Sequence, residues 1–127
     1  MLSNFDYTQA SQCTVRNCVS SNSDVAGIEL APSATGNAII NNVVYNNRDY
    51  GIFVGEGALY NHLEGNKVFA NSGFGITNNE PTTEAYGNTS CNNLGVNCNS
   101  VPTPLFQQQT PGDTPVVVGS NICCFQN

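Results

Sequence analysis

Residues 50–79 read YGIFVGEGALYNHLEGNKVFANSGFGITNN, a stretch in which one short motif returns at a fixed interval. The dipeptide Gly-Ile begins at positions 51 and 75 within it and also at position 27, so the interval is 24 residues each time. Self-similarity at a fixed period of this size is the signature of a repeat architecture, in which each unit packs against its neighbours. The sequence therefore predicts a stack of similar units.

Three copies of the repeat align over most of the chain. They read CTVRNCVSSNSDVAGIEL from residue 13, NAIINNVVYNNRDYGIFV from residue 37 and NHLEGNKVFANSGFGITN from residue 61. A fourth copy, TEAYGNTSCNN, begins at residue 83 and the match ends after residue 93. Apolar residues stand two apart in short bursts, which indicates short strands separated by turns. Three strands and three corners form one coil of a parallel β-helix, with coils about 4.8 Å apart. We therefore predict an all-β fold, a right-handed parallel β-helix of three to four 24-residue coils.

Asparagines recur in register and predict a hydrogen-bonded ladder along the stack. Their amides can bond from coil to coil and satisfy polar groups that a corner would otherwise bury without a partner. The columns are Asn37 with Asn61, Asn42 with Asn66 and Asn88, and Asn47 with Asn71 and Asn93, while Cys13 and Cys18 take the first two columns in the first copy. A further column of Ile28, Ile52 and Ile76 is expected to point inward and stack on itself. The glycines preceding these isoleucines are expected at corners, where they let the chain bend sharply.

The two ends of the chain depart from the repeat. Residues 1–12 are predicted to form an irregular N-terminal coil or cap, and residues 13–98 the β-helix. Residues 99–127 are rich in proline, which is excluded from central strands, so we expect an extended C-terminal tail with a candidate strand at 115–125. A short stack leaves strand edges at its ends, and an uncovered edge recruits another chain.

The composition limits the partners and the compartment. The 127 residues include 9 acidic and 3 basic side chains, and the net charge of -6 disfavours nucleic acid and anionic membrane surfaces as partners. The sequence has no apolar run near the roughly 18 residues of a transmembrane helix. Six cysteines in a short chain indicate an oxidising compartment, and we predict a secreted or extracellular location, including a cell surface or a virion fibre.

Disulfide pairs can be proposed from the spacing of the cysteines. Cys91 and Cys98 flank the short loop of CNNLGVNC, and we predict a disulfide between them. A strand would separate Cys13 from Cys18 by roughly 16 Å, which is too far for a bond. We therefore expect the tail to return along the outside of the stack, so that at least one of Cys123 and Cys124 bonds Cys13 or Cys18. The alternative is that this segment reaches a neighbouring molecule and links copies into a filament.

The repeat over residues 13–93 resembles the right-handed parallel β-helix repeat of the carbohydrate-binding and sugar-hydrolase type, in the pectate lyase-like superfamily. The resemblance implies the fold and describes the scaffold alone. The Asn-Thr-Asp, Asp-Asp, Gly-His-Gly, Arg-Ile-Lys and Asp-Pro-His-Asp motifs of sugar-active relatives are absent from the sequence. His62 is the only histidine, so a His-ligated metal cluster is not expected. No catalytic residue, metal ligand or cofactor is assigned.

Two surface features remain as candidate sites. Alternation along the strands predicts outward-facing aromatic rings, which serve either as a ladder that stiffens the stack or as a platform for sugar rings or a partner surface. Alternation gives this direction for Tyr45 with Phe69 and for Phe53, and Tyr50 shares a further aromatic column with Phe74. Asn88-Thr89-Ser90 is the one glycosylation sequon, and a glycan on Asn88 would conflict with a place for this residue in the ladder.

These features favour an extracellular, non-enzymatic structural or interaction module. We expect it to self-assemble through the ends of the β-helix or through its tail, into fibres or filaments. The alternative is the C-terminal fragment of a polysaccharide-active enzyme, such as a lyase, epimerase or hydrolase, or a carbohydrate-binding piece of a fibre or tailspike. A polysaccharide is then the expected partner, whereas nucleic acid and membranes are not.

Overall fold

The computed structural model describes residues 5–6, 10–100, 117–118 and 120–124, and the regular structure in these residues is entirely β. The fold is the predicted right-handed parallel β-helix. The strands are β1 Phe5–Asp6, β2 Thr14–Arg16, β3 Val19–Ser21, β4 Ala26–Leu30, β5 Ala38–Ile40, β6 Val43–Tyr45, β7 Tyr50–Val54, β8 His62–Glu64, β9 Lys67–Phe69, β10 Phe74–Asn78, β11 Glu84–Tyr86, β12 Thr89–Cys91, β13 Cys98–Ser100, β14 Val117–Val118 and β15 Asn121–Cys123.

Three sheets run along the stack, and each coil contributes one strand to each of them. Their strand orders are β2-β5-β8-β11, β3-β6-β9-β12-β15-β14 and β1-β4-β7-β10-β13. We call them the first, second and third sheet. Neighbouring described strands pair in parallel, except β14 with β15, which are antiparallel. The coils β2–β4, β5–β7 and β8–β10 repeat every 24 residues, and the step to the fourth coil shortens to 22.

The core consists of inward-facing residues that stack on their own kind. Ile28, Ile52 and Ile76 lie in register in the third sheet and are completely buried. Ile39 pairs with Leu63 in the first sheet and Val44 with Val68 in the second. Leu30 and Val54 form a second buried column beside the isoleucines of the third sheet. Because each column repeats from coil to coil, the repeat in the sequence sets the packing of the core.

Gly27, Gly51 and Gly75 do not turn the corners, and the prediction that placed them there is wrong. All three lie inside strands of the third sheet. A Cβ atom on Gly51 would lie 2.8 Å from Nδ2 of Asn71 and 2.7 Å from the carbonyl of Gly75. The repeated glycine is therefore needed because side chains and backbone from neighbouring strands approach it closely.

The corners are instead turned by the residue that precedes each ladder asparagine. Asn41, Asn46, Gly65 and Ala70 have φ angles of 54°, 55°, 64° and 55°, in the left-handed region that asparagine and glycine tolerate best. Residues 41–42 and 46–47 are asparagine doublets, in which the first residue forms the corner and the second enters the ladder.

Replacing Ala70 with glycine should therefore stabilise the protein by about 0.5–1 kcal/mol, because an alanine side chain is strained at its φ of 55°. Urea unfolding monitored by circular dichroism measures the change. Ala38→Gly, in strand β5, is the matched control and should lower stability by a similar amount. A loss of stability in Ala70→Gly would show that the corner does not strain this residue.

The C-terminal residues differ from one prediction. The β-helix predicted over residues 13–98 continues into β13, which adds to the third sheet with Cys98 opposite Ile76. The described tail residues, however, do not run along the outside of the stack. Strand β15 adds to the end of the second sheet beside β12, and β14 folds back on it. The rest of the predicted tail, residues 101–116, 119 and 125–127, lies outside the described residues, as do residues 1–4 and 7–9 of the predicted N-terminal cap.

The disulfides join the tail segment to the last coil. They link Cys91 to Cys124 and Cys98 to Cys123, so the predicted Cys91–Cys98 bond is wrong. Cys91 lies in register with the outward-facing Phe69, whereas Cys98 is 1% exposed and lies in register with the inward-facing Ile76. The two side chains therefore point to opposite sides of the coil wall.

The predicted bond from the tail to Cys13 or Cys18 is also wrong. Both of these cysteines are free thiols in the first coil. The tail segment carrying Cys123 and Cys124 pairs with the fourth coil, at the opposite end of the stack. The length of the stack therefore separates the thiols that the prediction joined.

Candidate interaction surfaces

The asparagine ladder is confirmed, and Asn66 shows how one rung is built. Its Oδ1 accepts hydrogen bonds from the backbone N–H and the Nδ2 of Asn42, both at 3.0 Å. Its Nδ2 donates to the carbonyl of Ile39 and to Oδ1 of Asn88, both at 2.8 Å. Each amide thus binds the backbone and side chain of adjacent coils. The buried ladder residues are Asn37, Asn42, Asn47, Asn61, Asn66, Asn71, Asn88 and Asn93.

Asn88, the asparagine of the sequon, lies in the ladder, and this is the position that the sequence analysis expected to conflict with a glycan. The residue is 1% exposed, and its Nδ2 donates to the carbonyl of Leu63 and to Oδ1 of Asn121. A glycan would have to replace one of these buried hydrogen bonds.

Two ladder residues were missed by the sequence analysis. Asn121 extends the column of Asn88, and the Oδ1 of Asn97 accepts from the N–H and Nδ2 of Asn93. For Asn121 a signal was present, because the segment SNICC at 120–124 parallels GNTSC at 87–91 and Ser120 has the corner φ of 61°. Asn97 lies only four residues after its ladder partner Asn93, so the 24-residue period could not identify it.

The outer face of the second sheet carries one aromatic pair. The rings of Tyr45 and Phe69 are 5.3 Å apart and almost parallel, with an interplanar angle of 4°. Because each ring stacks on its neighbour along the sheet, the pair acts as a ladder between the second and third coils.

The outer face of the third sheet carries a cluster of three half-buried rings. Tyr50 lies 4.7 Å from Phe53 and 5.6 Å from Phe74, with interplanar angles of 47° and 49°. The inclined rings leave a ridged apolar surface across two coils. Binding of a sugar or a protein by these rings stays a prediction.

Ionisable side chains meet on the outer face of the first sheet. Nε2 of His62 lies 3.1 Å from the carboxylate of Glu64, and the hydroxyl of Tyr86 donates to Glu84 at 3.3 Å. His62 also lies against the ring of Tyr86, with the ring centroids 5.8 Å apart. The hydrogen bonds lie within β8 and within β11, and the contact between the rings of His62 and Tyr86 links the two strands.

Glu80 is the buried carboxylate of the described residues, at 6% exposure. It accepts hydrogen bonds from the hydroxyl of Thr82 at 2.6 Å, from the N–H of Thr82 at 2.8 Å and from the N–H of Gly57 at 3.3 Å. The bonds from Thr82 and Gly57 lower the pKa of this carboxyl below its ordinary value of 4.5, and they outweigh burial, which would raise the pKa. Glu80 therefore ties the turn after β10 to the turn after β7.

The stabilisation from Glu80 should depend on pH. Since the folded pKa is lowered, the contribution is complete above the unfolded pKa near 4.5 and is lost as the pH falls through the folded value. Glu80→Gln should cost about 1 kcal/mol at pH 7, and its difference from the wild type should shrink below about pH 4.5. Urea unfolding across pH 3–7 measures this, with the exposed Glu56→Gln as control. A difference that stays constant with pH would contradict the assigned role.

Comparison with protein families fits this architecture. The family model of the periplasmic copper-binding protein NosD matches residues 3–105. The chain belongs to the NosD family. No curated protein and no solved structure matches it. Membership of a periplasmic family and the two disulfides agree with a periplasmic or extracellular location. The part of the chain that the structure describes contains no helix able to span a membrane.

Proposed function

We propose that this NosD-family chain is a structural module of the periplasmic or extracellular space, which acts by associating with other β-structure and not by catalysis. The observation that carries the proposal is the difference between the two ends of the stack. At the C-terminal end a disulfide-linked segment extends the second sheet beyond β12, whereas at the opposite end no strand of the described residues pairs with the outer side of β2 in the first sheet.

The strand that extends the second sheet at its C-terminal end carries a ladder asparagine, Asn121, which hydrogen-bonds to Asn88. Strand β15 pairs with β12, which leaves the second sheet without an exposed β12 edge. The Nδ2 of Asn121 donates to the carbonyl of Ala85 at 2.8 Å and so satisfies one backbone group at the edge of β11 in the first sheet. An edge that is already paired, such as that of β12, does not recruit a further strand.

The N-terminal end of the first sheet is exposed at β2. The N–H of Ala38 donates to the carbonyl of Cys13, and the N–H of Asn17 donates to the carbonyl of Ile40. Since alternate residues of a parallel strand face its neighbour, Thr14 and Arg16 direct their backbone groups away from β5. Both residues are exposed, and no described strand pairs with this side of β2. An edge of this kind accepts an added strand.

The described residues do not fit the copper of the family description. Protein copper sites use imidazole, thiolate and thioether ligands. The one imidazole, His62, contacts Glu64, and the free thiols of Cys13 and Cys18 belong to different corners. No group of three or more His, Cys, Asp or Glu among the described residues is arranged to hold a metal ion. Copper therefore has no part in the proposed function.

Sedimentation velocity over a range of protein concentrations tests the association. The chain should carry Cys13→Ser and Cys18→Ser, so that intermolecular disulfides do not contribute. We expect a concentration-dependent species that Thr14→Lys weakens, because a charged residue protects a strand edge. Leu94→Lys, at a corner that is 79% exposed in the fourth coil, is the control and should have no effect. A chain that stays monomeric at every concentration and binds no partner would refute the proposal.

Polysaccharide binding is a second candidate function, favoured by the ring cluster on the third sheet. Aromatic rings bind the apolar faces of sugars, and Tyr50, Phe53 and Phe74 present such a surface over two coils. Affinity electrophoresis in gels containing neutral or acidic polysaccharides would show retardation that Phe53→Ala abolishes. Phe69→Ala, on the second sheet, is the control.

A further inference from the structure

We propose that residues 120–124 are an exchangeable strand, which one copy of the chain can donate to the last coil of a second copy when the two C-terminal disulfides are opened. The docking surface is the outer edge of β12, and the partner is a second copy of this chain. This end of the stack lies opposite β2, so the inference goes beyond the association proposed above and does not depend on it.

The edge of β12 is matched to one particular strand. The backbone N–H and the Nδ2 of Asn88 both donate to Oδ1 of Asn121, at 3.0 and 2.8 Å. The carbonyl of Asn88 accepts from the N–H of Ile122 at 2.7 Å, and that of Ser90 accepts from the N–H of Cys124 at 3.0 Å. A strand without asparagine at the first position would leave the buried amide of Asn88 short of an acceptor.

The two disulfides place a second requirement on any strand that pairs with β12. Cys91 and Cys98 lie on different sides of the last corner and bond two adjacent residues of the tail. A partner strand therefore needs asparagine followed by cysteines two and three residues later. The segment Asn121-Ile122-Cys123-Cys124 of another copy meets these requirements.

The length of the connecting chain allows exchange. Residues 101–116 lie between the end of β13 and the start of β14. A connection of this length can extend over roughly 50 Å, whereas four coils have a height of only about 20 Å. The segment is thus not forced by its connection to return to its own coil, and exchange of such an element between identical chains is a common route to dimers.

The two disulfides form a lock with an outer and an inner bond. Cys91 and Cys124 are half-buried, whereas Cys98 and Cys123 are 1% and 2% exposed. A dithiol reductant should therefore reach Cys91–Cys124 first, and Cys98–Cys123 only after the segment has moved away from β12. In each step the protein disulfide gains two electrons and two protons and becomes two thiols, while the dithiol becomes its own disulfide. Glutathione disulfide reverses the reaction.

Exchange can be tested with isotope-labelled chains. Fully oxidised ¹⁵N-labelled and unlabelled full-length chains, both with Cys13→Ser and Cys18→Ser, are mixed in equal amounts at high concentration. They are reduced with dithiothreitol, reoxidised with glutathione disulfide and digested without reduction. Mass spectrometry should find Cys91 of one isotope linked to Cys124 of the other in up to about half of these peptides, the statistical share when segments are exchanged between identical copies. The same mixture without dithiothreitol should contain none.

The alternative outcomes are distinct. Links within one isotope only, in protein that has regained its circular dichroism spectrum, would show that the segment always returns to its own coil, and the exchange would be refuted. The lock is tested separately with Cys98→Ser/Cys123→Ser, which keeps the outer bond, and Cys91→Ser/Cys124→Ser, which keeps the inner bond. Alkylation after timed reduction should show the outer bond opening at least tenfold faster. Equal rates would refute the order of opening. Neither experiment involves β2, so a negative result in either would not affect the proposed association through the edge of β2.

Discussion

The Ile52→Asp variant should fail to fold into the cooperative native structure. Ile52 is fully buried and lies in register between Ile28 and Ile76, with no polar group of the Ile column to pair with a carboxylate. The substitution removes a buried aliphatic side chain and places a charge in an apolar column, at a combined cost of about 5 kcal/mol or more. This is comparable to the whole stability of a small domain. Loss of the β-type circular dichroism spectrum and of the thermal transition would show the effect.

Phe53→Asp is the matched control for this prediction. Phe53 is the next residue in β7, but it is half-buried and packs against Tyr50 on the outer face. A carboxylate at this position remains in contact with water, so the variant should fold with a much smaller loss of stability. If Ile52→Asp folded as well as Phe53→Asp, the assignment of inward and outward positions would be wrong.

The Asn66→Ala variant should lose about 3 kcal/mol or more of its free energy of unfolding. The substitution leaves the N–H of Asn42 and the carbonyl of Ile39 without the side-chain partner that the wild type provides, in a buried part of the stack. It also removes the side-chain bonds to Asn42 and Asn88. Each unsatisfied buried group costs about 1–3 kcal/mol, so the effects on two coils add to a large loss. Guanidinium unfolding monitored by circular dichroism measures it.

Asn79→Ala is the control for Asn66→Ala, because it removes an asparagine that is not part of the ladder. Asn79 is half-buried, and its backbone N–H donates to the carbonyl of Val54, a bond that alanine retains. We expect a loss below about 0.5 kcal/mol, as for most surface substitutions. Equal losses in Asn66→Ala and Asn79→Ala would mean that the ladder does not contribute the stability assigned to it.

The asparagine doublets show what sequence reasoning could and could not resolve. The period identified Asn42 and Asn47 as ladder residues because each bonds to the equivalent residue of the next coil, 24 positions away. The role of Asn41 and Asn46 in the corners was not predicted, since a left-handed φ leaves no periodic trace of its own: the same position is Gly65 or Ala70 one coil later. The glycines of the Gly-Ile dipeptides were assigned the corner role instead, although close approach by neighbouring strands explains them.

For the candidate surfaces, too, the sequence predicted some features and only the structure showed others. Alternation predicted that Tyr45, Phe69 and Phe53 face outward. The parallel contact of Tyr45 with Phe69 and the inclined contacts of Tyr50 depend on side-chain rotamers that the sequence does not specify. The buried role of Glu80 was not predicted, because its partners Gly57 and Thr82 lie in turns of neighbouring coils outside the repeat pattern.

The sequence by itself determined the architecture, the ladder and the core columns, because each coil touches mainly the coils before and after it and the same contacts recur at every step. A contact that recurs in every coil requires the same type of residue at the same position of every repeat, so it can be recognised from the sequence. The tertiary structure alone decided how the stack ends: the bonds Cys91–Cys124 and Cys98–Cys123, and the entry of Asn97 into the ladder. These contacts occur once and join residues 4, 25 or 33 positions apart, so no repeat marks them. They depend on which face each side chain takes after the last corner and on where the tail meets the last coil, and both are settled only when the coils are packed together.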